Sequence, residues 1–178
     1  MLRKMLLIAV ATIMLGSTLF AQDAQAHARF QLKSTIAVTV DSLTCNNGQG
    51  TIPALSWSFG ASRSTSGSTG AGGISVGKAT LTDLSVTRRA DGCTPILFED
   101  AMTGGRIKQV TIVQQDTQKD DVFTVTLQDV VISSYQLGGD QSSELPAEQI
   151  GFNFAKICVA DSVTGTKTCW DLRAARTF

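Results

Sequence analysis

The sequence predicts a mainly β fold, a closed or nearly closed barrel plugged or flanked by one short α-helix, and three observations lead there. Most of the chain beyond residue 34 falls into short runs rich in Val, Ile and Thr, which suit a pleated, half-buried surface. Only one segment carries the start and stop signals of a helix. Hydrophobic residues make up 43% of the chain, and roughly 150 residues are enough to bury a core as one domain.

The strands follow in order. Thr35 to Val40 is β-branched and apolar. A Cys-Asn-Asn-Gly turn then leads into Thr51 to Phe59, where Leu55, Trp57 and Phe59 alternate with Ser56 and Ser58. From Gly60 the chain dissolves into small residues, 60-GASRSTSGSTGAGG-73, broken only by Arg63 and ending through Gly70, Gly72 and Gly73. Thr80 to Arg88 alternates again, with Leu81 and Val86 inward and Thr82 outward. Ile107 to Val113 and Val122 to Ile132 are two further strands. In the second, Phe123, Val125 and Leu127 share a face, and the parity slips at Gln128-Asp129 before Val130 and Ile132, which predicts a bulge. Phe152 and Phe154 point one way while Ala155, Ile157 and Val159 take the other, as in a strand covered on both faces. The exception is 94-TPILFEDAMTGG-105. Thr94 can cap, Pro95 fits the first helical position, Gly104 offers a left-handed stop, and Leu97, Phe98, Ala101 and Met102 form one apolar stripe.

The first 26 residues have the layout of a secretory signal peptide. Arg3 and Lys4 form a basic start, Leu6 to Phe20 is apolar, and Ala24-Gln25-Ala26 supplies a small–x–small cleavage pattern. A bilayer-spanning helix needs about 20 apolar residues, more than this run provides. Removing residues 1–26 takes Arg3, Lys4 and Asp23 from 15 basic and 15 acidic residues, leaving 13 and 14, a formal charge of −1. That balance gives no broad attraction to nucleic acid or to anionic membranes. No second apolar span follows, so the expected product is a single soluble domain over 27–178, exported to the periplasm or beyond the cell, without stable membrane insertion.

Four cysteines, Cys45, Cys93, Cys158 and Cys169, all lie beyond the leader. An even number in an exported chain predicts two disulfides, and the spacing does not match a zinc site. Residues 152–160 and 166–172 read as hairpin strands around 161-DSVTG-165. A loop centred between Val163 and Thr164 sets Cys158 opposite Cys169, within disulfide reach, which leaves Cys45 for Cys93.

Catalytic and cofactor chemistry is not legible. In 72-GGISVGK-78, Gly72, Gly77 and Lys78 fit a phosphate loop, but Ala79 replaces the required Ser or Thr, and a loose tract precedes it where a strand should. A Ser–His nucleophile needs a positioned base, and the single histidine, His27, would sit at the new N-terminus. Asp120-Asp121 and Asp140 lie in turns, where solvated charge is the ordinary reading, and no pair stands out as a glycosidase-type couple. Trp57 and Trp170 suit a core or an interface better than a carbohydrate platform. No metal or cofactor ligand set is present, and no enzyme is expected.

An ordered series of segments resembles the Hcp family, the tube-forming proteins of bacterial type VI secretion. It runs 54-ALSWSFGAS-62 with the Ser/Gly-rich arm, 80-TLTDLSVTRRAD-91, 95-PILFEDAMTGGRIKQVTI-112, 122-VFTVTLQDVVISSYQLGG-139, 145-LPAEQIGFNFAKI-157 and 170-WDLRAA-175. The resemblance implies a β-barrel of two packed sheets with a helix at one side, six copies in a ring, and rings stacked into a tube. It also implies that Gly60–Gly73 is an extended loop reaching neighbouring subunits, with Trp57, Phe59, Gly60, Arg63, Gly70, Gly72 and Gly73 as assembly residues. Secretion-tip or effector proteins are the further partners it suggests. The leader and the cysteine pairs depart from that family, whose tube subunits assemble in the cytoplasm. Two readings therefore stand: a ring-forming structural or effector protein, and an exported binding module that works apart from any tube.

Overall fold

The computed structural model describes residues 34–45, 50–67, 74–118 and 120–178. The expected leader, His27, most of the Cys-Asn-Asn-Gly turn, and Gly70, Gly72 and Gly73 lie outside the described residues. Among the described residues, eleven strands and one helix follow in the order β1 (Thr35–Val40), β2 (Thr51–Ala54), β3 (Ser56–Ser58), β4 (Ala61–Gly67), β5 (Ile74–Leu81), β6 (Leu84–Arg89), α1 (Thr94–Thr103), β7 (Ile107–Gln115), β8 (Asp121–Gly138), β9 (Ala147–Asp161), β10 (Thr166–Asp171) and β11 (Arg176–Thr177). The mainly β class is observed, with one short helix among the described residues.

Nine strands form one sheet and β4–β5 form a second, two-stranded one. The long strands β8 and β9 pair along most of their length. One edge of β8 carries β7, then β1 and β2. The free edge of β9 is divided: residues 147–152 pair with β6, and residues 156–161 pair with β10. Strand β6 in turn pairs with β3. Strands β2 and β3 are separated by Leu55 alone, whose N–H donates to Thr87 O on β6. Two sheets are present as expected, but unequal: a branched nine-stranded sheet holds the core and β4–β5 form the other, and among the described residues the strands do not join into a closed ladder.

Alternation builds the core. Val38, Val40, Ile52, Leu84, Val86, Val110, Ile112, Val125, Leu127, Val130, Ile132, Ile150 and Phe152 all point inward. Two expected strands prove to be broken. Thr51–Phe59 is interrupted at Leu55, where pairing passes from β1 to β6. Thr80–Arg88 divides at Thr82-Asp83 because Thr82 N donates to Gly60 O and Gly60 N to Thr82 Oγ1. Asp83 then accepts from Ser133 Oγ and Asn153 Nδ2, which fixes the turn against β8 and β9.

The bulge expected at Gln128-Asp129 takes a different form. Parity slips there, yet the register of β8 with β7 and with β9 does not shift. The reason is that all three strands slip at one level: Lys108-Gln109 on β7, Gln128-Asp129 on β8, and Ala155-Lys156 on β9 separate inward residues on either side. Asp129 has φ 54°, a left-handed conformation that Asp tolerates better than most residues. The register of β8 shifts elsewhere: against β9 between Ile132 and Ser134, and against β7 between Gln114 and Gln115.

Helix α1 begins one residue earlier than expected. Cys93 is its N-cap, without a side-chain cap, and Thr94 Oγ1 accepts from Asp91 N. Gly104 closes it at φ 66°, its N–H donating to Asp100 O. Only part of the predicted stripe is buried. Leu97 is fully covered and Ala101 partly so, whereas Phe98 and Met102 are exposed.

Two disulfides brace this frame. Cys45–Cys93 ties the segment after β1 to the start of α1, with Cα atoms 5.2 Å apart. Cys158–Cys169 joins directly facing residues of β9 and β10, with Cα atoms 4.0 Å apart.

Candidate assembly interface

The β4–β5 ribbon is the feature that the sheet does not absorb. It pairs only with itself, from Ala61↔Leu81 to Gly67↔Ile74, and every residue of β4 is exposed. On β5, Ile74 is 74% exposed and Val76 54%. The sequence explains its shape. Small and hydroxyl side chains let the two strands lie close, and Gly77 permits the irregularity after Arg63: a Cβ there would clash with Ser64 Oγ. A lone two-stranded hairpin is marginal in water, and its outer edges present unpaired backbone groups.

Of the predicted assembly residues, Trp57, Phe59, Gly60 and Arg63 are described. Trp57 lies on β3 and stacks at 15° on Phe59 and on Phe123, with centroids 6.2 and 6.0 Å away. Both Trp57 and Phe59 pack partly buried against the core, in the wall rather than on the ribbon. Gly60 closes the ribbon's root with Thr82, and Arg63 is exposed on β4. Gly77 and Lys78, from the near-miss phosphate loop, sit within β5 and lead into no helix. Trp170 packs partly buried against the core.

Sequence reasoning missed the most heavily charged feature of the interior. Arg88 on β6 and Glu148 on β9 are facing residues, 0% and 1% exposed, and form an ion pair. Arg88 Nη2 also lies 2.5 Å from Asp91 Oδ2, just ahead of α1. Tyr135 on β8 donates to Glu148 Oε2, and its ring meets Phe98 edge-on at 5.7 Å. Burial, and then the hydrogen bond to the Glu148 carboxylate, push the Tyr135 phenol well above its ordinary pKa. The signal was legible: Arg88 shares parity with Leu84 and Val86, and Glu148 with Ile150 and Phe152. The group anchors the chain entering α1 to the sheet.

Turn carboxylates have ordinary structural partners. Asp140, in one of the turns considered for acid chemistry, accepts from Ser142 Oγ, Ser142 N and Ser143 Oγ, and these contacts hold its pKa below the usual range. Asp161 is lowered by the backbone N–H of Thr164 first, and Asp171 by that of Ala174. Among the described residues, no group of three His, Cys, Asp or Glu side chains could hold a metal ion. No described helix is long and apolar enough to cross a membrane.

Known proteins share this architecture. Residues 42–160, two thirds of the chain, match the family described as type VI secretion system effector, Hcp. Among solved structures, one described as a type six secretion system protein superposes with a TM-score of 0.71 at 20% identity, covering 82% of this chain and 100% of its own. Hcp1 from Salmonella typhimurium gives a TM-score of 0.68 at 19% identity, covering 82% and 99%. A type VI secretion system effector from Yersinia pestis gives 0.61 at 20%, covering 76% and 98%. No curated protein sequence matches. The fold is thus that of a class of type VI secretion proteins. The chain is a member of the Hcp family of type VI secretion system effectors.

Proposed function

We propose that this chain is an exported Hcp subunit that joins head to tail into a hexameric ring and acts through its surfaces, without catalysis. The observation that carries the reading is the β4–β5 ribbon: a marginal two-stranded sheet with exposed Ile74 and Val76 gains stability by docking on a neighbour. Closed rings use one heterologous interface repeated around an axis, and a projecting ribbon supplies half of such an interface. Export is supported by the leader-like residues 1–26 and by two disulfides, which persist in oxidising compartments. Secretion-tip or effector proteins are the further partners that this reading assigns.

The same leader and disulfides favour a second reading, an exported Hcp-fold module that binds a ligand alone. Native mass spectrometry of the exported, oxidised product separates the two. A six-fold assembly supports the ring, and a monomer across the micromolar range supports the module. Intact mass also tests cleavage after Ala26.

A further inference from the structure

The shared slip of β7, β8 and β9 has a consequence on the outer face of the sheet. Two successive residues leave the core on β7 and β8, and Lys156 follows buried Ala155 on β9, so polar side chains gather at one level: Lys108, Gln109, Gln128, Asp129 and Lys156. The turn after β10 adds Arg173. Leu172 N donates to Ala155 O in the gap between β6 and β10 on the edge of β9, and Asp171 Oδ1 accepts from Arg173 N. Strand β5 adds Lys78 from the root of the ribbon.

Two adjoining clefts result. One, of about 410 Å³, is lined by Lys78, Arg106, Asp129, Asn153 and Arg173 among others. The other, of about 460 Å³, is lined by Lys108, Gln128, Lys156 and again Asp129 and Arg173. Asp129 divides its carboxylate between two guanidinium groups, Arg106 at 3.0 Å and Arg173 at 2.5 Å, which holds both at the junction while leaving them 75% and 69% exposed. Lys156 pairs with Asp171 at 3.6 Å. Lys78 and Lys108 form no salt bridge among the described residues. Five cations thus face two carboxylates, a local charge of +3 on a chain whose formal net charge is zero.

We propose that these clefts are a two-part anion site for a ligand carrying two phosphate groups, with Arg173 shared between the parts. The chemistry favours phosphate over carboxylate. Lys78, Arg106 and Arg173 approach the first cleft from three separate elements, and a tetrahedral anion with three acceptor oxygens can answer all three. A planar carboxylate matches one guanidinium fork. Asp129 raises the threshold, since a singly charged ligand must compete with a carboxylate already in place. The phosphates could belong to a soluble diphosphate or to a lipid headgroup, and the test distinguishes these sources.

The probe is pyrophosphate, titrated calorimetrically into the oxidised, exported chain and normalised per chain, so that the result does not depend on ring formation. Expected is saturable binding that weakens as salt rises, with acetate inactive at the same concentration. Removing one charge-assisted contact costs about tenfold in affinity, so Arg173→Gln should lose at least that. Lys167→Gln, outside both clefts, should lose nothing. Should Arg173→Gln fail to form both disulfides, the exposed pair Arg106→Gln and Lys108→Gln replaces it and should weaken binding similarly. In a second arm the chain is sedimented with phosphatidylcholine vesicles containing phosphatidic acid. Binding that pyrophosphate displaces assigns the site to a lipid headgroup, and pyrophosphate binding without vesicle binding assigns it to a soluble ligand. No saturable pyrophosphate binding, or equal affinity in Arg173→Gln and Lys167→Gln, overturns the proposal.

Discussion

A charged pair sealed inside a β sheet sets the terms at the scale of residues. Arg88 and Glu148 face each other across β6 and β9 with almost no exposed surface. Breaking such a pair leaves one charge buried and uncompensated, at a cost of about 3–5 kcal/mol. Glu148→Gln should therefore lower stability by about that amount in urea unfolding, whereas exposed Glu144→Gln should change it by less than about 0.5 kcal/mol. Tyr135 gives a second readout because it is the only tyrosine in the chain. A phenol with a raised pKa favours its neutral form in the fold, so that contribution persists below the ordinary value of about 10 and fades as pH rises through the higher folded value. Absorbance near 295 nm should stay flat past pH 10 in the native protein. In Glu148→Gln, which removes the hydrogen-bonding carboxylate, ionisation should begin nearer the ordinary value. Both inward positions could be read from parity beside Leu84, Val86, Ile150 and Phe152. What no count of residues discloses is the partner, since β6 and β9 lie about 60 residues apart and meet only through topology.

Among the elements, strands were legible and their joints were not. Alternation located β1, β7, β8 and β9, and turn chemistry located α1. The breaks at Leu55 and at Thr82-Asp83 come from changes of partner and from the Gly60–Thr82 contact, which propensity does not encode. The slip at Gln128-Asp129 was visible, but whether it would shift the register depended on matching slips in β7 and β9. Phe98 and Met102 fit an inward stripe by spacing, yet the helix rests on the sheet through Leu97 and Ala101.

Within the tract read as a loop, Ala61–Gly67 is a paired strand of the ribbon, because Ser, Thr and Gly side chains tolerate close pairing without announcing a strand. Replacing Ile74 and Val76 together by Ser should leave the melting temperature within about 2 °C, since both side chains are largely exposed, while reducing assembly measured by light scattering. The two disulfides differ in the loops they close, with separations of 48 and 11 residues. Chain-entropy arithmetic gives about 4 and about 3 kcal/mol as upper-end values. Cys45→Ser with Cys93→Ser should therefore be the more damaging double change in thermal unfolding, the more so because both sulfurs are buried beside α1.

For the whole molecule, the sequence conveyed the class and the family more readily than the architecture. Six segments in order carried the resemblance, and the match over residues 42–160 places the chain in the Hcp family. How one long strand, β9, serves two partners along a single edge was beyond reach, because that division depends on where β6 and β10 stop. Function through assembly needs the ribbon and export together: an oxidised, braced sheet presents a ribbon that pairs with no other described strand and that a second copy can cover. Native mass spectrometry of the exported chain, with both disulfides intact, tests this most directly. Six copies in one assembly, lost when Ile74 and Val76 become Ser, is the predicted result. A monomer at tens of micromolar, or an assembly indifferent to those two changes, would contradict it.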